Sequence, residues 1–392
     1  MRVLGISSGT SFDGIDAIVV DLHLEGEVLV GEVLGRSATP YSTELRTMLA
    51  AMLPPREVTL REVAVVDALV GQEFAAAAHG LARAVGGVDA VGSHGQTLYH
   101  WVDEGTARGT LQLGQPAWIA ERLEVPVVGD LRARDIAAGG QGAPLVVLLD
   151  ELLLAGREGT QVALNIGGIA NVTVVDPARP TIAYDIGPGN ALIDAVVQEL
   201  RLDPHGYDAG GVIAAQGALD VALLDALLAD PYYRGVPPKS TGKEHFHLGH
   251  VRAATATVGR DTRAADLVRT LTELTALTVA DAVASHGTQV LWASGGGVHN
   301  PVLMDRISAL LPGVDMRPTR ELGIAEDDKE ALLFAVLGWY HLVGLPASVP
   351  SATGARGPRL LGSVTPGARP AVVELAPHAP RSLRLTPSGS PS

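Results

Sequence analysis

The segment LNIGGIANVTVV, starting at Leu164, repeats a plan already present in ISSGTSFDGIDAIVV, starting at Ile6: an apolar strand, a glycine turn and a second apolar strand. Each copy sits beside a third β-rich run, EVLVGEVLGR in the first half and TIAYDIG in the second. Runs of β-branched residues bounded by turn residues mark strands, and three in succession mark an antiparallel meander. Helical patterns follow both copies. They are STELRTMLAAML and the segment from Thr59 to about Val85 in the first half, then NALIDAVVQEL and ADLVRTLTELTALTVADAVASH in the second. Short strands come after them: DAVGSHG and VPVVGDL early, TQVLWAS late. A meander followed by alternating helices and strands predicts an α/β layer with a mixed sheet. Its recurrence predicts an internal duplication.

Length supports the same division, because 392 residues exceed what one hydrophobic core usually covers. We expect an N-terminal domain over 1–132, a C-terminal domain over 133–350, an extension over 351–375 packed on them, and a tail over 376–392. The tail, APHAPRSLRLTPSGSPS, is dense in Pro and Ser without an apolar period, so it is expected to be mobile. The longest apolar run, Leu332 to Ala347, is about sixteen residues. That is short of the ~20 needed to span a bilayer, and it predicts a buried helix. The N-terminus reaches a polar Gly/Ser/Thr turn too soon for a signal-peptide core, so a cytoplasmic protein is expected.

Composition narrows the chemistry. A net charge of −14 argues against nucleic acid or an anionic membrane as partner, since both need a cationic surface. With Cys at 0, disulfides, thiolate metal sites and cysteine nucleophiles are excluded. Phosphate ligands remain possible, because backbone N–H groups hold them without Lys or Arg.

The first glycine turn holds Ser7, Ser8, Gly9, Thr10, Ser11, Phe12, Asp13, Gly14, Ile15 and Asp16. Its glycines let the backbone approach an anion closely, and its hydroxyls add donors. Asp13 and Asp16 would repel a bare phosphate but suit Mg²⁺ placed beside one. The turn is not a Walker or dinucleotide loop, because a strand rather than a helix follows the glycines. Taken alone, one such loop is better explained as an ordinary hairpin turn. Gly167 and Gly168 form its counterpart in the second half, and Gly295, Gly296 and Gly297 lie between the strand LWAS and a helix starting near Asn300 and Pro301. The three glycine runs together describe a cleft between two domains that grips a nucleotide.

Asp185 ends the strand TIAYDIG, ahead of the sharp turn Gly187–Gly189, with Asn190 placed to cap the next helix. A carboxylate there is either a general base or a turn cap. GSHGQTLYH reads as a loop after a strand whose His94, Gln96, Thr97 and His100 suit a polyhydroxylated ligand. Its two His, six apart, fit no zinc spacing. HFHLGH, His245 to His250, also lacks a defined ligand spacing, and a metal is not expected there. Lys239 and Lys243 are candidates for phosphate or loop contacts. Arg132, beside the glycine hinge 139–142, can hold a carboxylate bidentately or serve in a salt bridge.

With these motifs in view, the sequence resembles the anhydro-N-acetylmuramic acid kinases from about Leu4 to Gly367. The resemblance runs through SGTSFDGID, SHGQT, DLRARD with AAGGQGAPL, LNIGGIAN, DIGPGN, PPKSTGKE, GGGVHNP and DDKEALLF, in collinear order. It implies the duplicated actin-like, RNase H-like α/β fold of the sugar-kinase and chaperone-ATPase superfamily, with mixed sheets and an interdomain nucleotide cleft. It also implies an ATP-dependent enzyme of cell-wall recycling. That enzyme converts 1,6-anhydro-N-acetylmuramic acid, water and ATP into N-acetylmuramic acid 6-phosphate and ADP. By the same resemblance, Asp185 is the catalytic base, and Gly9 to Asp16 bind the ATP phosphates, with Mg²⁺ on Asp13 or Asp16. Gln96, Thr97, Arg132 and Glu330 contact the sugar, Arg132 through its lactyl carboxylate, and the chain forms a homodimer. Ser8, Leu131 and Ile186 depart from the Met, Phe and Thr usual in the family. A conventional sugar kinase of the same fold, or a non-catalytic ATP-gated binding protein, are the competing readings.

Overall fold

The computed structural model describes residues 1–9, 12, 14–53, 56–103, 105–237, 239–242, 245–368 and 373–386. Three strands open the chain: β1 (Arg2–Ser8), β2 (Gly14–Glu25) and β3 (Val28–Pro40). Then come α1 (Thr43–Ala51), α2 (Leu60–Ala84), β4 (Ala90–Asp103), β5 (Thr106–Leu113), α3 (Pro116–Leu123), β6 (Val127–Gly129), α4 (Ala133–Ala137) and α5 (Val147–Leu154). A second meander follows as β7 (Gln161–Ile166), β8 (Ile169–Asp176) and β9 (Arg179–Pro188). Helices α6 (Ala191–Glu199), α7 (Val212–Ala215), α8 (Val221–Leu228), α9 (Leu248–Val258) and α10 (Ala264–Ala284) lead to β10 (Val290–Ser294), α11 (Pro301–Leu310) and β11 (Asp315–Pro318). The chain closes with α12 (Lys329–Leu342), α13 (Pro350–Thr353), β12 (Ser363–Thr365) and β13 (Ser382–Thr386).

These elements form two compact units. One comprises Met1–Ala155, Leu322–Ile324 and Asp328–Ser392; the other comprises Gly156–Glu321 and Ala325–Asp327. The grouping differs from the expected boundary at 132/133, because α4 packs on β5 and α5 on β13 inside the first unit. Residues 328–350, expected in the second domain, also belong to the first unit, where α12 lies on β1, β2 and β4.

In the first unit the strand order is β12-β6-β4-β1-β2-β3-β13, with β5 paired to β4. Strands β1, β2 and β3 are antiparallel, while β4 runs parallel to β1 and β6 parallel to β4. In the second unit the order is β11-β10-β7-β8-β9. Again the meander is antiparallel, and β10 and β11 add in parallel. Read from the meander outward, the sheets run β3-β2-β1-β4-β6 and β9-β8-β7-β10-β11, the same order once β5 is set aside. This is the duplicated α/β arrangement with mixed sheets that the repeated glycine hairpins predict, in the RNase H-like order that the resemblance implies.

Helix α12 carries the long apolar run and is buried along nearly its whole length. It lies so close to the sheet that a Cβ at Gly5 would come within 1.9 Å of the Ala331 carbonyl oxygen, and one at Gly92 within 1.9 Å of that of Phe334. Only glycine permits that approach. Among the described residues no helix is long and apolar enough to cross a membrane.

Two expectations are corrected. GSHGQTLYH is not a loop but the body of β4, which bends at Gly95, where φ is +70°. The end of the chain is not mobile throughout, because Ser382–Thr386 pairs in parallel with β3 and buries Leu383 and Leu385. The alternating pattern in SLRLT and the otherwise unpaired edge of β3 explain why a Pro/Ser-rich segment becomes a strand. Leu385→Ala is accordingly expected to destabilise the first unit by about 2–3 kcal/mol in urea unfolding, the usual loss for a buried leucine. A change within error would show that this strand contributes nothing to the sheet.

Candidate functional site

In the first unit, β1 leads into the glycine turn and β2 leads out. Ser8 Oγ donates to the Gly14 carbonyl at 2.7 Å, and the Phe12 N–H donates to the Gly9 carbonyl at 3.3 Å. Phe12 takes φ +55°, rare for a bulky residue, and its buried side chain holds it there. Phe12 and Ile15 point into the hydrophobic core, so these two residues can offer a ligand only backbone. Asp16 is half-buried and pairs with Ser7 across the two strands. Ser7 Oγ is buried and has no hydrogen-bond partner among the described residues. Thr10, Ser11 and Asp13, expected to bind nucleotide, and Lys243 lie outside the described residues.

Gln96, expected to touch the sugar, is fully buried and spans from β4 to this turn. Its Nε2 donates to the Gly9 carbonyl at 3.0 Å, and its Oε1 accepts from Tyr41 Oη at 3.1 Å. That geometry makes it a support for the turn.

Next along β4, His94 and Thr97 meet Arg132. Arg132 Nη1 donates to the Gly142 carbonyl at 2.8 Å, and Nη2 lies 3.2 Å from His94 Nε2. Guanidinium only donates, so Nε2 must be the unprotonated ring nitrogen. Burial holds the His94 pKa well below its usual value, and the Arg132 charge lowers it further. The ring stacks on Phe334 at 4.4 Å, which fixes its plane. Thr97 Oγ1 lies 3.3 Å from the same nitrogen and accepts from Gln112 Nε2 at 3.2 Å.

Arg132 Nε is shut from solvent and has no hydrogen-bond partner among the described residues. An orphaned guanidinium N–H is costly, and an anionic acceptor would satisfy it. Burial lowers the Arg132 pKa and the charge of Glu330, in the first turn of α12, raises it. Asp135 holds the same glycine hinge from the other side, accepting from the Gly142 N–H at 2.8 Å and from Thr353 Oγ1 at 2.9 Å. The structure thus brings Thr97, Arg132 and Glu330 into one neighbourhood. His94, which positions Arg132, carries no sequence signal beyond its place in SHGQT.

In the second unit the glycine runs converge at the C-terminal ends of the parallel strands β7 and β10. A Cβ on Gly295 would come within 2.4 Å of Asn165 Oδ1, and one on Gly297 within 2.3 Å of Ile166 Cγ2, so both runs share one end of the sheet. Gly296 is exposed, and a Cβ there would meet nothing within 4 Å, so the backbone presents an open surface. Gly167 and Gly168 accept from the N–H groups of Asn190 and Gly189 at 2.8 and 2.9 Å, which ties the hairpin turn to the strand-to-helix turn after Asp185. Asn190 makes no side-chain cap, whereas Asn300 does cap α11, accepting from the Leu303 N–H at 3.2 Å.

Asp185 is half-buried on β9. Residues 232–241 hold it from three points. The Thr241 N–H donates to Asp185 Oδ2 at 3.0 Å, the Asp185 N–H donates to the Lys239 carbonyl at 3.1 Å, and Tyr232 Oη donates to the Asp185 carbonyl at 2.7 Å. Burial, and next the Asp185 charge, push the Tyr232 pKa far up, which keeps this donor protonated. Lys239 makes a loop contact, with Nζ donating to the Tyr232 carbonyl at 3.1 Å and lying over the Tyr232 ring at 4.5 Å. The backbone clamp from Lys239 and Thr241 is invisible in sequence, because any residue supplies an N–H and a C=O.

A family model described as anhydro-N-acetylmuramic acid kinase matches residues 1–367. The chain is similar to proteins of that same name. One, from Streptomyces coelicolor, is 52% identical and aligns over 98% of this chain and 99% of its own. Those from Streptomyces avermitilis and Rhodococcus erythropolis are 53% and 48% identical, over 94% and 98% of this chain and 95% and 99% of theirs.

Proposed function

The chain belongs to the anhydro-N-acetylmuramic acid kinase family, and from that premise we propose that Asp185 is its catalytic base. The enzyme is a kinase. Its reaction is the hydrolytic opening of 1,6-anhydro-N-acetylmuramic acid coupled to phosphorylation of O6, giving N-acetylmuramic acid 6-phosphate and ADP. The observation that carries the base is the three-point clamp on Asp185, which fixes a half-buried carboxylate at a strand end. Asp185 takes a proton from water, and the hydroxide adds at C1 as the C1–O6 bond breaks. ATP supplies the γ-phosphoryl group that the released O6 accepts. Positioning and charge neutralisation account for most of such a transfer.

The β1–β2 turn suits phosphate oxygens, and Asp16 with the unpartnered Ser7 Oγ suits a hydrated Mg²⁺ that would neutralise them. Gly295, Gly296 and Gly297 offer flat backbone to the nucleoside. Arg132, with its orphaned Nε–H, takes the lactyl carboxylate of the sugar, and Thr97 and Glu330 its hydroxyls. Gln96 holds the phosphate turn in shape rather than the sugar. A cytoplasmic homodimer belongs to the same proposal, and light scattering on the purified protein checks the stoichiometry.

Coupled ADP release with 1,6-anhydro-N-acetylmuramic acid against N-acetylmuramic acid tests the reaction. Turnover with the anhydro sugar alone supports it. Turnover with the reducing sugar points to a conventional kinase, and ATP binding with neither points to a binding protein. Arg132→Lys keeps the charge but loses the fork, so the KM for the anhydro sugar should rise about tenfold or more with the KM for ATP unchanged. Equal changes in both would remove Arg132 from the sugar site.

A further inference from the structure

Outside the groups assigned above, the described residues of the second unit include one cluster of metal-binding donors. Asp230, His245 and His250 each offer one ligand atom, and the three atoms lie within 4.8 Å of one another. His245 Nε2 is 2.8 Å and His250 Nδ1 3.7 Å from the same oxygen, Asp230 Oδ2. We propose that Asp230, His245 and His250 form a three-ligand site for a borderline divalent transition ion such as Zn²⁺, with a water in the fourth position.

The donor set selects the ion. Two imidazole nitrogens and one carboxylate oxygen suit Zn²⁺ and its neighbours, whereas Mg²⁺ and Ca²⁺ want oxygen alone. Bonds of ~2.0–2.1 Å at tetrahedral angles put ligand atoms about 3.3 Å apart. The observed 2.8 and 3.7 Å to Asp230 bracket that spacing, and the two imidazole donors lie within 4.8 Å of each other.

The surroundings orient the ligands as a metal site requires. Asp230 Oδ1 accepts from the Tyr232 N–H at 2.8 Å, which turns Oδ2 toward the two rings. Phe246 packs on both imidazoles, with ring centroids 4.4 Å from His245 and 5.4 Å from His250. His250 Nε2 is buried without a hydrogen-bond partner among the described residues, so no contact opposes the tautomer that leaves the Nδ1 lone pair to the ion. His245 is 38% exposed at its side chain, which gives the ion a way in.

An ion here would join Asp230, at the end of α8, to His250 in the first turn of α9. The chain between them contains Tyr232, Lys239 and Thr241, the three residues that clamp Asp185. The ion would thus staple both ends of the segment that positions this carboxylate, a role that holds whatever reaction Asp185 serves.

The test uses the full chain without a histidine tag, stripped with chelator and titrated with Co²⁺ and then Zn²⁺. The expected result is one equivalent of Co²⁺ with the intense visible absorption of a tetrahedral centre, lost on displacement by Zn²⁺, and a melting temperature raised by Zn²⁺. His245→Gln and His250→Gln should each weaken binding by more than the ~10–100-fold that loss of an outer-shell partner costs. His205→Gln, at the exposed His205–Asp203 pair, should bind as wild type. The more exposed His245 keeps the test alive if His250→Gln fails to fold. Absence of stoichiometric binding to the wild type, or unchanged binding by His245→Gln, would overturn the site.

Discussion

Asp185→Asn is expected to lower turnover of the anhydro sugar by about two to four orders of magnitude, the contribution of a positioned general base. The substitution preserves shape. Its amide oxygen can still accept from the Thr241 N–H, and the backbone bonds to Lys239 and Tyr232 are untouched, so the strand end keeps its place. ATP binding measured by calorimetry should therefore stay near the wild-type value while ADP release collapses. If Asp185→Asn turns over at the wild-type rate, the base lies elsewhere and the role assigned to this carboxylate is lost.

The largest stability effect is expected at the other end of the molecule's chemistry, in Lys329. Its ammonium group is 7% exposed and pairs with Asp150, 3% exposed, at 2.5 Å. Removing one member of a buried pair leaves the other charged and unsolvated, so Lys329→Met should destabilise the first unit by about 3–5 kcal/mol. Asp150→Leu combined with Lys329→Met should recover most of that loss, because the cost lies in the stranded charge. A urea midpoint for Lys329→Met equal to wild type would show that the pair contributes nothing. The position matters because Lys329 opens α12, whose next residue is Glu330 and whose later turns lie against Gly5 and Gly92. Loss of the pair is expected to loosen Glu330 together with the helix, so the double variant is the better background for testing the sugar contact proposed for Glu330.

Ser8, Leu131 and Ile186 are the three positions at which the resemblance implies Met, Phe and Thr instead. Ser8 closes the β1–β2 turn through Gly14, Leu131 is buried at the start of the Arg132 segment, and Ile186 joins the core of the second unit.

Local and tertiary information divide along a physical line. The two meanders, the helices after them and the buried α12 were legible because hydrophobic period and turn residues act over a few positions, and each element obeys its own period. The glycine turns, Asp185 and Arg132 were legible because their residue types are costly or unusual at strand ends and hinges. The rest depended on meetings across many residues. His94 under Arg132, Gln96 beneath Gly9, the backbone of Lys239 and Thr241 around Asp185, and Asp230 facing His245 and His250 have no spacing that announces them. Likewise Ser382–Thr386 became a strand only because β3 offered an open edge, and Asp328–Ser392 joined the first unit only because α12 fits glycines in β1 and β4. Period and turn chemistry are properties of neighbours in the chain. A hydrogen bond or a close backbone approach belongs to two segments at once, so only the folded arrangement could decide it.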